Sequence, residues 1–148
     1  MILISHRGNI DGSVPNLENS PEHIKKAIDL GYDVEVDVWK KENQLFLGHD
    51  KPQYLIDETF LENASLWCHA KNSEALEHML LNKKIHCFWH QSDKYTLTSM
   101  GYVWIYPGEK TIPTGILVMP EKVGIIPNTQ KNLEILGVCS DKISDWRG

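Results

Sequence analysis

The sequence predicts an α/β fold: a compact, minimal TIM-like (β/α) barrel with shortened or missing helices. Three observations predict it. Short apolar, β-rich runs begin at Ile2, Val34, Leu66, Ile85, Tyr102, Ile116, Val123 and Leu136, eight starts in one chain. Helical patterns stand between several of these runs, as right-handed β-α-β crossovers require. The residues able to do chemistry fall just after the apolar runs, where an α/β sheet or barrel presents its strand ends. With 148 residues and 41% apolar composition, the chain is one domain, 1-148, large enough for a real core. Ordinary barrels of this class take about 200 residues or more, so here the helices must be cut back.

In chain order, residues 2–5 read as a short buried strand and 9–16, with Gly, Ser, Asp and Pro, as a loop. Ser20-Pro21 opens a helix. Serine caps its N-terminus, proline loses nothing at the first helical position, and Ile24, Ala27 and Ile28 form an apolar stripe before Gly31 ends it. In Val34-Glu35-Val36-Asp37-Val38 the valines alternate with acids, which marks a strand with one apolar and one charged face. Glu35 and Asp37 therefore project the same way. Taken alone, such a strand is more often a solvated edge, because two like charges one pleat apart call for a cation, a histidinium or water.

The polar run 40–44 reads as a turn and Leu45-Phe46-Leu47-Gly48 as the second arm of a hairpin. Centred near Glu42, that hairpin sets Glu35 opposite His49. A short helix over 57–64, a strand over 66–70 and a clear helix over 73–83, buried through Ala75, Leu76, Met79 and Leu80, come next. Further strands are expected at 85–89, 102–106, 116–119, 123–126 and 137–140, a weak helix at 94–100 and a short one at 129–136. An alternative count takes 45–47 into the barrel and drops the strand at Val123. Trp146, in an otherwise polar tail, reads as packing rather than recognition.

The chain carries 15 basic against 20 acidic residues with no dense basic run, which makes nucleic acid a poor default partner. Cys68, Cys87 and Cys139 lie inside apolar runs without C-x-x-C spacing and read as small buried hydrophobes. No secretory signal precedes the first strand, and the apolar runs are far below a membrane span. Reduced thiols without an export signal lead to an expected cytoplasmic location. Four pieces of the stretch from His6 to Asp50, ISHRG, LENS, VEVDVW and LGHD, supply two histidines, an arginine and two alternating carboxylates, a set suited to moving protons and holding a cation beside a phosphate.

Four motifs in order, His6-Arg7-Gly8, Glu18-Asn19-Ser20, Glu35-x-Asp37 and His49-Asp50, resemble the H-R-G, E-N-T, E-x-D and H-D pattern of the glycerophosphodiester phosphodiesterase family. That superfamily includes the phosphatidylinositol-specific phospholipases C and the sphingomyelinases D. The likeness covers about the first third of the chain. Beyond it, Lys71 is similar to the lysine of the family's E-x-K strand, and Cys139-Ser140-Asp141 to its closing T-D. The resemblance implies a barrel, a divalent metal ion as cofactor (Mg2+ or Ca2+) and a small phosphodiester as substrate, with lipid metabolism as the setting. Ser20 for Thr, Leu17 for the usual Pro and the missing insertion after His49-Asp50 are departures. The largest is His69-Ala70-Lys71, where the family has a third acid; imidazole can ligate a divalent ion, although magnesium and calcium prefer oxygen.

On this reading Glu35 and Asp37 hold the cation, with His69 as the third ligand. Arg7 grips the phosphate through paired hydrogen bonds, and Lys71 adds positive charge. His6 and His49 share general acid and base duties, since an unperturbed imidazole pKa lies at about 6.5. Glu18 and His90 are candidate substrate contacts. Glu18 reads equally well as a capping or supporting residue beside a helix start, and His90 as an ordinary loop histidine. The attacking oxygen is either water or a hydroxyl of the substrate alcohol. Two other classes of function stay open: a phosphoester-binding barrel without turnover, and a zinc hydrolase using His6, His49 and His69, whose ligands lack H-x-H or H-E-x-x-H spacing.

Overall fold

The computed structural model describes residues 1–127 and 133–148. They form ten strands and three short α-helices. The strands are β1 (Ile2–His6), β2 (Asp33–Lys41), β3 (Gln44–Leu47), β4 (Tyr54–Ile56), β5 (Leu66–Ala70), β6 (Cys87–Phe88), β7 (Tyr95–Leu97), β8 (Val103–Ile105), β9 (Gly115–Val118) and β10 (Gly137–Ser140). The helices are α1 (Pro21–Asp29), α2 (Glu58–Leu61) and α3 (Ser73–Leu81).

A parallel run β6-β5-β2-β1-β10-β9-β8 is extended by antiparallel β7 beyond β8, and by the antiparallel pair β3 and β4 on the tail of β2. The result is a mixed-sheet half-barrel and corrects the expected TIM-like barrel. Two local causes are visible. β6 is only 2 residues long, too short to run a ladder against β8; Cys87 bonds Ser99 instead, through the Ser99 amide and hydroxyl. Residues 106–114, with Pro107, Gly108 and Pro113, remain a loop where a barrel would place a helix.

Other expectations change as well. The weak helix over 94–100 is instead the strand β7, in line with its β-favouring Tyr-Thr-Leu-Thr sequence. Val123 ends a 3-10 turn, Pro120–Val123, that proline opens. Of the helix expected over 129–136, residues 129–132 lie outside the described residues and 133–136 are not helical. The hairpin holds, but its register is one residue away: Lys41 pairs with Gln44 across a turn in which Glu42 and Asn43 have φ of 52° and 62°. Both central residues left-handed is the tight hairpin turn that matches strand twist.

The sheet has two dry faces. Val34, Val36 and Val38 of β2, with Cys68 and Ala70 of β5, pack outward on Ile24 and Ala27 of α1 and on Ala75 and Met79 of α3. Inside the curl, Ile4, Trp67, Phe88, Trp104, Ile116 and Cys139 fill the strand starts. All three cysteines are buried and free, as expected. Trp146 packs beside Tyr32, Leu117, Val138 and Ile143. Among the described residues no helix is long and apolar enough to cross a membrane.

Candidate active site

Above the aromatic filling, the inner face turns polar at the C-terminal ends of β1, β2, β5 and β10. Because side chains alternate along a strand, the valines that bind α1 and α3 send Glu35 and Asp37 inward. Both are buried, at 2% and 0% exposure, so the solvated-edge alternative fails. The parallel register sets Glu35 beside His6 on one side, and Asp37 beside His69 on the other. His69 Nδ1 lies 3.5 Å from Glu35 Oε1 and 3.2 Å from Asp37 Oδ1. Lys71, the residue directly after β5, sets its Nζ 3.9 Å from Asp37 Oδ1.

Asp37 is held by Asn19 from two directions: Asn19 Nδ2 donates to Oδ2 at 2.9 Å, and the Asp37 amide donates to Asn19 Oδ1 at 2.9 Å. Arg7 Nε is 3.1 Å from the same Oδ2. Burial alone would raise the Asp37 carboxyl, yet His69, Arg7 and Asn19 together hold it below the usual carboxylate range. For His69, burial pulls the imidazole down, and the contacts to Asp37 and Glu35 lift it to about 9. Arg7 and Asn19 adopt left-handed backbone, φ 56° and 63°, local strain of the sort found at functional sites. Gly8, at φ 92°, completes the turn, because a Cβ there would meet the His23 ring at 2.6 Å.

His6 Nδ1 lies 2.7 Å from Asp141 Oδ1, and its Nε2 is 3.8 Å from Glu35 Oε2. The carboxylate fixes the tautomer with hydrogen on Nδ1 and leaves Nε2 to accept a proton. Asn9 Nδ2 also donates to Asp141, at 2.8 Å. Burial works against charge on Asp141, but the bonds from His6 and Asn9 keep its carboxyl low.

Not every expected residue joins this cluster. Glu18 accepts from Ser13, Asn9 and Arg7 at 2.6, 3.0 and 3.2 Å, so its supporting role is the one its contacts display. Arg7 donates from Nη1 to Glu18 and sets Nε 3.1 Å from Asp37 Oδ2 without an aligned hydrogen bond, which leaves Nη2 for a phosphate oxygen and does not provide the expected paired grip. His49 is not brought to the carboxylates. The one-residue shift in hairpin register and the end of the ladder at Val38–Leu47 carry it away. It pairs with Asp50 at 2.7 Å, and with Arg7, Glu18 and Asn19 it lines a cleft of about 180 Å³. His90 is closer than a loop histidine need be: its carbonyl accepts from His69 Nε2 at 2.8 Å. Asn19 and Asp141 were not singled out as site residues by sequence, although each stands inside a quoted motif; Asn9 gave no signal.

Glu35, Asp37 and His69 can each direct one ligand atom to a common point, the three atoms lying within 4.8 Å of one another. A divalent cation fits them on two grounds. Glu35 Oε2 and Asp37 Oδ1 are buried oxygens without an aligned hydrogen-bond donor among the described residues. The His90 carbonyl takes the Nε2 hydrogen of His69, so a cation that displaced the Nδ1 proton now facing Asp37 and Glu35 would find that nitrogen oriented to receive it.

No protein-family model matches the chain, and no curated protein or solved structure is significantly similar to it. The likeness to the glycerophosphodiester phosphodiesterases is therefore one of sequence motifs alone.

Proposed function

We propose that this protein cleaves a small phosphodiester of the glycerophosphodiester kind, using a divalent cation held by Glu35, Asp37 and His69. The observation that supports it most is the convergence of Glu35, Asp37 and His69 on one buried spot, with two carboxylate oxygens that lack an aligned hydrogen bond, beside Arg7, Lys71 and an oriented His6. Bound there, the cation supplies charge neutralisation at the phosphate oxygens. Arg7, through its Nη2 end, and Lys71 bind the same phosphate and fix its orientation. His6 Nε2 takes the proton of the attacking hydroxyl, and Asp141 stabilises the imidazolium that results. His49 borders the cleft on the Arg7 side, apart from the carboxylates and paired with Asp50. Attack by water yields a monoester; attack by a neighbouring hydroxyl yields a cyclic phosphate. The substrate is expected to be a soluble or protruding head group.

One observation favours a second reading, phosphoester binding without turnover: Arg7 at 3.1 Å and Lys71 at 3.9 Å already compensate Asp37. Incubation with glycerophosphocholine separates the two. Release of choline or a cyclic phosphate with added Mg2+, Ca2+ or Mn2+, abolished by excess chelator, is expected. Saturable phosphate binding without product would establish the second reading, and undiminished cleavage in chelator would remove the cation from the first.

A further inference from the structure

A second histidine–aspartate couple stands across the carboxylates from His6 and Asp141. His90, immediately beyond β6, has Nδ1 at 3.0 Å from Asp93 Oδ2. Asp93 is itself fixed: its Oδ1 accepts from the Gln91 amide at 2.9 Å, and its Oδ2 from the Thr96 hydroxyl. The ring of His90 lies 6.1 Å from that of His69 and 5.8 Å from that of Tyr106, with only 12% of the side chain exposed. In the strand order β10-β1-β2-β5-β6 the His6–Asp141 couple occupies one flank and His90–Asp93 the other, with Glu35, Asp37 and His69 between them. By contrast, His49 is tied to an exposed Asp50 on the antiparallel arm.

Displacement at phosphorus places the entering and leaving oxygens roughly in line, on opposite sides of the phosphate. A proton must be removed on one side and supplied on the other, which is what two oriented imidazoles flanking a cation cluster can do. We propose that His90 is a catalytic residue, the general acid for the leaving alcohol, an inference that rests on the phosphodiester reading above. The attacking O–H gives its proton to His6 Nε2 as the new O–P bond forms. The old P–O bond breaks, and the departing oxygen takes the Nε2 proton of His90, whose Nδ1–H remains on Asp93. Solvent then returns a proton to His90 and removes one from His6, so the cycle balances.

The leaving group tests this. An alkoxide needs a proton to depart and a nitrophenolate does not. Turnover of glycerophosphocholine and of glycerol 4-nitrophenyl phosphate, which keeps the glycerol hydroxyls and changes only the leaving group, is compared in wild type, His90→Gln and Asp93→Asn. The expected result is a loss of roughly 100-fold or more on the alkyl diester and of less than about tenfold on the nitrophenyl diester in His90→Gln. Asp93→Asn should follow in the same direction. The ratio of the two rates is internal to each variant, so partial unfolding cancels. Equal losses on both substrates, or none, overturn the proposal while leaving the phosphodiester reading intact. The selective loss appearing in His49→Gln and not in His90→Gln also overturns it. No cleavage of either diester by wild type overturns both.

Discussion

On β2, Val34, Val36 and Val38 of the outer face are fully buried, and Glu35 and Asp37 of the inner face are buried within 2% as well. The same strand thus carries two equally dry faces of opposite chemistry. Burying a valine gains about 1.5 kcal/mol or more, whereas a buried carboxylate costs several unless its partners are well placed. The outer face meets apolar side chains of α1 and α3 and holds the fold together. The inner face is supported by Asn19, Arg7 and His69, and still leaves two oxygens without an aligned hydrogen bond. One face is built for stability. The other keeps a set of charges that stability alone would replace with hydrophobes.

The largest effect should come from Asp37→Ala, which removes the acid that Arg7 and His69 share and leaves them only Glu18 and Glu35. It should cost about 3–5 kcal/mol in urea denaturation and end the proposed phosphodiester cleavage. Asn19→Ala removes both bonds that hold Asp37; a loss of about 2 kcal/mol is expected, from bonds to a charged group. Val36→Ala, on the outer face, should cost roughly 2 kcal/mol through lost burial and a cavity, with turnover kept in the folded fraction. If instead it abolished turnover without a change in stability, the division of labour between the faces would be broken.

A finer test is pH, in chelator. His69 rises from the ordinary 6.5 to about 9 in the folded chain. Its contribution to stability is therefore complete below about pH 6.5 and is lost as pH climbs through 9. Asp37 acts in the opposite sense. Its lowered carboxyl contributes fully above about pH 4 and loses that contribution as acid protonates it. Thermal melts should fall between pH 7 and 9.5, and His69→Gln should flatten that slope.

The outer face was legible because its physics is local. Alternation in Val34 to Val38, the Ser20-Pro21 start and the stripe of Ile24 and Ala27 each specify an element from adjacent residues, and all three form. Burial of the acid face was not legible, since it depends on β1 and β5 flanking β2 in the curled sheet. His49 shows the limit of register: a turn centred half a residue later moves the cross-strand partner by one position, and the ladder then stops short of it. Asp141 became meaningful only through the pairing of β10 with β1, across 135 residues. The barrel expectation failed where β6 is only 2 residues long and where the 106–114 connection, with Pro107 and Pro113, builds no helix.

Mn2+ titration followed by electron paramagnetic resonance tests most directly whether the inner face of β2 holds a divalent cation. Wild type and Glu35→Gln are compared, the variant keeping the shape of the side chain while removing its charge. The account predicts one saturable site in wild type that is lost or weakened at least tenfold in Glu35→Gln, with thermal melts showing the variant folded. Absence of a saturable site in wild type, or equal binding by the two proteins, would contradict it.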